Sequence, residues 1–270
     1  MPPAFKPQIA SSLLALHGVS KAFPNGTLAL SKLDFDIRAG EFLSLLGPSG
    51  CGKSTALRII AGISLPSRGS VEWLAHAMAA DQTSRIGFVF QEPTLMPWAS
   101  VFDNAALPLV LKGVPAETIA KRVTGVLDRV GLAKFAHVFP RELSGGMRMR
   151  VSIARALVTE PQLLLMDEPF AALDEITRFK LNNDLLQVWQ ATSPTVVFVT
   201  HSVFESVYLS SRILVLTARP GRVSSELAIE APYPRDQNFR TSAEYAAYCR
   251  RASTALAQAM SDDKPAGDHA

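Results

Sequence analysis

Hydrophobic and polar residues alternate in an early segment, where Leu33, Phe35 and Ile37 are separated by two aspartates. Side chains in a strand point to opposite faces in turn, so this period of two predicts a half-exposed, antiparallel strand. Four other segments are continuous apolar runs that end at polar residues, a pattern typical of strands buried on both faces of a mainly parallel sheet. They are residues 42–46, 86–90, 163–166 and 196–199.

Helical patterns separate these four runs, which indicates an α/β protein built in layers. After the third strand, Pro115 can open a helix and Gly131 can close it, so we expect a helical insert at about residues 95–155. One face of the helix is apolar and carries Ile119, Val123, Val126, Leu127 and Val130. Near the C-terminus, Thr241 and Glu244 have the spacing of a capping box, which predicts the start of a last helix. One side of that helix carries Tyr245, Tyr248, Ala252 and Leu256.

Composition restricts the class of protein. With 48% apolar and 19% charged residues, the chain has the balance of a globular protein with a core. The formal charge of +3, without a dense Lys/Arg block, argues against a nucleic-acid partner. No apolar run approaches the roughly 20 residues of a membrane helix, so the chain is not expected to cross a bilayer alone. The two cysteines form no disulfide framework, which suits a reducing cytoplasm.

Residues 47–55 match the phosphate-binding pattern G-x-x-x-x-G-K-[ST], and they lie between a predicted strand and a predicted helix. The glycines let the backbone curl so that its N–H groups form a nest for an anion. Lys53 supplies a point charge for the β- and γ-phosphates of ATP, and Ser54 offers a hydroxyl to Mg²⁺. We predict that the whole loop binds nucleotide: Gly47, Pro48, Ser49, Gly50, Cys51, Gly52, Lys53, Ser54 and Thr55. Cys51 is interpreted as a small filler of the loop, not as a nucleophile.

Three polar residues follow the ends of two other predicted strands. Asp167 ends the run 163–166, where a carboxylate can hold Mg²⁺, and the adjacent Glu168 must face another way. Glu168 is therefore free to orient or deprotonate an attacking water. His201 ends the run 196–199 in the same way, and we predict that it contacts the γ-phosphate, although a lone histidine is more often an ordinary turn residue.

A second anion site is predicted about 20 residues before Asp167. Ser144, Gly145 and Gly146 come before a helix expected at residues 148–158, so a hydroxyl, N–H groups and a helix dipole would point at one spot. The segment Leu-Ser-Gly-Gly-Met that contains them resembles the signature LSGGQ of ABC ATPases. Met147 replaces the glutamine of that signature, and methionine cannot donate the amide hydrogen bond.

The resemblance to the ABC nucleotide-binding domain runs from about residue 13 to residue 222, with the family's motifs in order. It implies a P-loop core with a mainly parallel sheet, an antiparallel β subdomain and the helical insert. It also implies that Gln91 senses Mg²⁺ and water, that Asp174 belongs to a loop passing between subunits, and that Phe23 stacks on adenine. Residues 1–11 are expected to be a disordered tail, residues 12–230 the ATP-binding domain, and residues 231–270 a helical extension with a tail.

Family members hydrolyse ATP as a head-to-tail dimer, in which Ser144 and the two glycines would grip the γ-phosphate held by the second copy. Met147 and the stretches 88–98 and 167–174 resemble the importer subfamily for nitrate, sulfonate and taurine. We therefore expect a peripheral ATPase on the cytoplasmic face of the inner membrane. Its partners would be a second copy of itself, permease subunits and, indirectly, a solute-binding protein. Trp98 is either buried or an exposed anchor for a permease helix.

Three other functions remain as alternatives. An exporter ATPase carries the same catalytic motifs, but a domain without fused membrane helices fits import better by analogy. ABC ATPases that act on DNA or ribosomes carry long inserts or two domains in one chain, and this sequence has neither. A nucleotide kinase would share the phosphate loop but not residues 144–147.

Overall fold

The computed structural model describes residues 11–74 and 85–261. The tail predicted at residues 1–11 lies almost wholly outside this range, as does the end of the predicted C-terminal tail. The described residues divide into two compact units, a first unit of residues 11–74 and 195–261 and a second unit of residues 85–194. The domain boundary at residues 230 and 231 stays a prediction.

An antiparallel sheet opens the first unit. Strand β1 (Ser12–Ala22) pairs with β2 (Leu28–Arg38) on one side and with β4 (Arg68–Trp73) on the other. Leu33 and Ile37 of β2 are fully buried, as the alternation of apolar and polar residues requires. The predicted antiparallel strand is therefore confirmed.

The second sheet of this unit is mainly parallel. Strand β3 (Phe42–Leu46) lies between β7 (Thr195–Thr200) and β8 (Arg212–Leu216) and runs parallel to both, while β9 (Val223–Ala228) pairs antiparallel with β8. Every residue of the three parallel strands is buried, because both faces of the sheet are covered. Helix α1 (Lys53–Ile60) follows β3, so the predicted phosphate loop is the turn between a buried strand and a helix.

Three more helices complete the first unit: α6 (Val203–Leu209), α7 (Gln237–Arg240) and α8 (Ala243–Ser261). The predicted capping box of α8 is wrong by one residue. The Ser242 hydroxyl accepts the hydrogen bond from the Tyr245 amide at 3.1 Å, and the Thr241 hydroxyl instead donates to the carbonyls of Gln237 and Asn238 in α7. The buried face of α8 carries Tyr245, Cys249, Ala252, Ala255 and Ala259.

The second unit holds two parallel strands and four helices. Its elements are β5 (Ile86–Val89), α2 (Val101–Leu111), α3 (Ala116–Arg129), α4 (Gly145–Leu157), β6 (Leu163–Asp167) and α5 (Glu175–Thr192). Short 3₁₀ turns at Ala133–Phe135 and Pro140–Glu142 join α3 to α4. β5 and β6 pair in parallel register.

Helix α3 lies where Pro115 and Gly131 predict it, and Val123, Val126 and Leu127 form its buried face. Helix α2 was not located by the sequence pattern, because Pro108 lies inside it and proline removes a helical hydrogen bond. The α/β fold with a mainly parallel sheet, an antiparallel β subdomain and a helical insert is confirmed. No helix in the described residues is long and apolar enough to span a bilayer.

Candidate functional site

The lysine of the predicted phosphate loop is buried inside the turn between β3 and α1. The Nζ atom of Lys53 donates to the carbonyls of Gly47 and Pro48, each at 2.9 Å, and the residue is only 3% exposed. The Sγ atom of Cys51 lies 3.9 Å from the same Nζ, and its side chain is buried. The charge is thus fixed at the centre of the loop, and Cys51 fills space beside it as expected.

Two glycines of the loop adopt a backbone conformation that other residues avoid. Gly50 has φ of +76° and Gly52 has φ of +98°, both in the left-handed region. A Cβ on Gly52 would also lie 2.8 Å from the Ala29 carbonyl, so no side chain fits there. Gly52 is the N-cap of α1, so the turn lies at the positive end of the helix dipole. The geometry suits an anion such as a triphosphate.

His201 lies in the turn between β7 and α6, and it is exposed. Its neighbours fix this turn. The Thr200 hydroxyl donates to Glu205 at 2.6 Å and accepts from the Ser202 amide at 3.0 Å, and Ser202 caps α6. The imidazole is therefore held at the carboxyl end of a buried strand of the first unit, the same edge from which the phosphate loop leaves β3.

In the second unit, the two acidic residues at the end of β6 differ in burial and in backbone conformation. Asp167 is the last residue of the strand and is buried, whereas Glu168 is half-buried. Glu168 has φ of +44°, a left-handed conformation that costs roughly 1–2 kcal/mol for a residue with a Cβ. Backbone strain of this kind often marks a functional position.

Helix α4 begins three residues earlier than the sequence pattern indicates, because Gly145 and Gly146 form its first turn. Ser144 is its N-cap, and the Ser144 hydroxyl accepts from the Met147 amide at 3.3 Å. The three residues therefore gather a hydroxyl and free N–H groups at the positive end of a 13-residue helix. The Arg148 side chain donates to the Leu143 carbonyl at 2.9 Å and steadies the preceding turn.

Gln91 is exposed directly after β5, and two residues that the sequence analysis missed hold the segment that follows it. Arg155 of α4 donates to the Pro93 carbonyl at 2.8 Å and the Thr94 carbonyl at 2.9 Å. Burial lowers the pKa of Arg155, although a guanidinium stays charged at neutral pH. Asn104, fully buried in α2, bonds to the backbone of Met96, Ala99 and Ser100. No local pattern marks Arg155, because its partners lie more than 60 residues away in the chain.

The remaining predicted residues lie on the surface. Asp174 caps α5 by accepting from the Thr177 amide at 2.9 Å, and hydrogen bonds from Thr177 lower the pKa of its carboxyl group. Phe23 is 40% exposed, so its ring is available for stacking instead of packed in the core. Trp98 is 76% exposed, which excludes the alternative that it is buried in the core.

The candidate site residues suit Mg²⁺ bound together with a nucleotide better than a metal ion held by protein ligands alone. In the described residues no group of three acidic, His or Cys side chains could hold a metal ion. Mg²⁺ in nucleotide sites takes only one or two protein ligands and completes its shell with water and phosphate oxygens. Within the second unit, Asp167 is a buried carboxylate, the type of ligand that Mg²⁺ takes.

Comparison with known sequences identifies relatives along most of the chain. The family described as "ABC transporter" matches residues 30–171. An uncharacterized ABC transporter ATP-binding protein of Methanocaldococcus jannaschii is 45% identical over 241 residues, which cover 88% of this chain and 89% of that protein. The aliphatic sulfonates import ATP-binding protein SsuB of Bacillus subtilis is 43% identical over 222 residues, covering 82% of this chain and 84% of its own.

Solved structures agree with the sequence relatives. CbiO1 from Clostridium perfringens, part of the ABC transporter complex CbiONQ, matches with a TM-score of 0.73 at 29% identity, covering 81% of this chain and 89% of that chain. A dimeric ATP-binding cassette in a post-hydrolysis state, bound to ADP and Pi, matches with a TM-score of 0.69 at 34% identity. It covers 81% of this chain and 100% of that chain.

Proposed function

The chain belongs to the ABC transporter family of ATP-hydrolysing proteins, and from this premise we propose that it powers a membrane importer for a small solute of the nitrate, sulfonate or taurine class. The observation that carries the import direction is the 43% identity with a protein named for aliphatic sulfonate import, along 82% of this chain. The signature with Met147 in place of glutamine supports the same subfamily.

The proposed contacts with the nucleotide begin at the phosphate loop. The loop amides of residues 47–55 and the Lys53 ammonium bind the phosphates, and Phe23 stacks on the adenine ring. Ser54, Gln91 and Asp167 would hold Mg²⁺, which neutralises charge on the phosphate oxygens when bound. The buried ammonium of Lys53, fixed by two carbonyls at 2.9 Å, supports this assignment because it already points into the anion nest.

Hydrolysis proceeds by in-line attack of water on the γ-phosphate. Glu168 orients the water and accepts its proton, and the left-handed backbone at this residue supports a role distinct from that of Asp167. Lys53 and His201 stabilise the charge that develops on the transferred phosphoryl group. Gln91, exposed on the segment held by Arg155, orients the same water.

A second copy of the chain completes each site. Ser144, Gly145 and Gly146 bind the γ-phosphate held by the partner copy, and Asp174 lies on the loop that passes between copies. Support comes from the exposed helix N-terminus at Ser144 and from the similarity to a dimeric cassette bound to ADP and Pi. Two nucleotides then join two copies with two-fold symmetry, and hydrolysis loosens the dimer.

An apolar surface on the second unit fits a permease helix. A groove of about 390 Å³ lies beside β5 and α2, and its walls include Phe88, Phe90, Leu107, Pro108 and Leu111. Leu111 is 78% exposed, and Trp98 is exposed on the segment that follows Gln91. Contiguous exposed apolar patches are typical of protein-contact surfaces, and tryptophan is enriched where binding energy is concentrated.

The test of the import function is a pull-down of the tagged chain from gently solubilised membranes, with partners identified by mass spectrometry. A multi-span permease and a solute-binding protein are the expected partners, and the binding protein then gives the substrate. A permease without a binding protein would favour an exporter, and ribosomal or DNA-associated partners would overturn the transport function.

Trp98→Ala provides a matched variant for the same pull-down. We expect it to recover several-fold less permease, because an exposed anchor is lost, while the ATPase activity of the isolated subunit is unchanged. Leu65→Ala is the control, since Leu65 is 79% exposed on the first unit and has no assigned role. Equal recovery of permease by the Trp98 variant and the control would contradict the docking surface.

A further inference from the structure

The loop between β8 and β9, residues 217–222, lies against the outer side of the phosphate loop within the first unit. A Cβ added to Gly221 would lie 2.1 Å from the Cys51 carbonyl oxygen, and one added to Gly47 would lie 3.1 Å from the Leu216 carbonyl oxygen. These distances place the two backbones in direct contact. We name residues 217–222 the hairpin loop.

One side chain of the hairpin loop reaches the tip of the phosphate loop. The Nε atom of Arg219 donates to the Gly50 carbonyl at 2.8 Å, across 169 residues of sequence. A second guanidinium nitrogen would lie 2.9 Å from a Cβ at Gly50, so the planar group lies directly over this glycine. Gly50 is in the left-handed conformation, and it is part of the turn that aims the loop amides inward.

Hydrogen bonds within the hairpin loop and to β2 hold the backbone that carries Arg219. The Thr217 hydroxyl donates to the Pro220 carbonyl at 2.9 Å and accepts from the Arg222 amide at 3.0 Å. The Gly221 amide donates to Ala29 at 2.9 Å, and its carbonyl accepts from Ser31 at 3.0 Å, which ties the hairpin loop to β2. A guanidinium held this way can restrain the glycine that it contacts.

We propose that Arg219 is a positioning residue for nucleotide binding, which acts by holding the Gly50 carbonyl outward so that the phosphate loop keeps the shape of an anion nest. The hydrogen bond is charge-assisted, which makes it stronger than a neutral one. Without it, the glycine-rich turn samples other conformations and loses part of its affinity for phosphates. The inference rests on the proposed phosphate site at Lys53.

The experiment compares Arg219→Met with the wild-type chain, because methionine keeps an apolar stem and removes every donor. ADP binding is measured by calorimetry, so that turnover does not interfere. We expect the Kd for ADP to rise about five- to tenfold, which is less than the loss of a charge-assisted hydrogen bond to the ligand itself, because Arg219 acts through the loop and does not touch the ligand. The KM for ATP rises by a similar factor while kcat stays within about twofold, and amide exchange in residues 47–55 becomes faster.

Two further variants separate positioning from general damage. Arg219→Lys keeps a charge and a donor and is expected to restore most of the ADP affinity. Arg222→Met is the matched control, since Arg222 is exposed on the same hairpin loop. Melting temperatures of all three variants should remain near that of the wild type because both arginines are exposed.

Wild-type ADP affinity in Arg219→Met, no rescue by lysine, or an equal loss in Arg222→Met would each overturn the inference. The variant Lys53→Ala separates an error in the role of Arg219 from an error in the proposed phosphate site. If that variant loses ADP binding while Arg219→Met does not, only the role of Arg219 is wrong. If Lys53→Ala binds ADP normally, the phosphate site itself is wrong.

Discussion

At the scale of single residues, the phosphate loop shows how much a local sequence can fix. Lys53 follows Gly52, whose φ of +98° only glycine tolerates well, and the lysine side chain folds back onto two carbonyls of its own loop. These two carbonyls lie within six residues of Lys53, so neighbours along the chain produce this geometry. The strained backbone of Glu168, in contrast, has no signature in the sequence.

Lys53→Ala tests the residue at the centre of this loop. Removing the ammonium should weaken ATP binding by roughly 10- to 100-fold, because a charge-assisted hydrogen bond contributes about 1.5–3 kcal/mol. Equilibrium titration with a fluorescent ATP analogue measures the loss. Wild-type affinity in this variant would count against the assignment of residues 47–55 to the phosphates.

At the scale of elements, the C-terminal extension is fastened to the helix that follows His201. Arg235 is buried and donates to the carbonyls of Val207, Tyr208 and Ser210 at the end of α6, and to two more carbonyls in residues 229–231. Burial lowers the pKa of Arg235, and these carbonyls compensate part of the lost hydration. The arginine thereby caps a helix C-terminus, where a positive charge is favourable.

Arg235→Met should lower the free energy of unfolding by about 3 kcal/mol, because several buried carbonyls lose a charged donor at once. Urea denaturation followed by circular dichroism measures it. Arg251→Met on the exposed side of α8 is the matched control and should change stability by less than about 0.5 kcal/mol. A similar small effect at both positions would show that Arg235 does not hold the extension.

At the scale of the whole molecule, the anion site proposed at Ser144 is separate along the chain from the one proposed at Lys53. Each lies at a helix N-terminus, one on α4 in the second unit and one on α1 in the first. In the proposed mechanism, each ATP binds the Lys53 site of one copy and the Ser144 site of the other copy. The ATP-bound state is then a dimer.

Glu168→Gln tests this dimer. The amide cannot accept the proton of water, so ATP should bind without being hydrolysed and hold two copies together, with kcat reduced at least about 100-fold. Light scattering after gel filtration in saturating MgATP measures the mass. The double variant Lys53→Ala/Glu168→Gln is the control and should remain monomeric; a monomeric single variant would argue against the ATP-joined dimer.

The sequence by itself determined the buried strands, the phosphate loop and the acidic pair after β6, because each depends on side-chain period or on residues that are neighbours in the chain. The ends of helices were predicted less accurately. Gly145 is in the first turn of α4 and Ser242 is the cap of α8, and both roles depend on the backbone conformation before the helix. Tertiary structure alone decided the contacts of Arg155 with Pro93 and of Arg219 with Gly50, which join segments 62 and 169 residues apart. A hydrogen bond between distant segments forms only where the fold brings both backbones together. A local sequence pattern therefore cannot predict it.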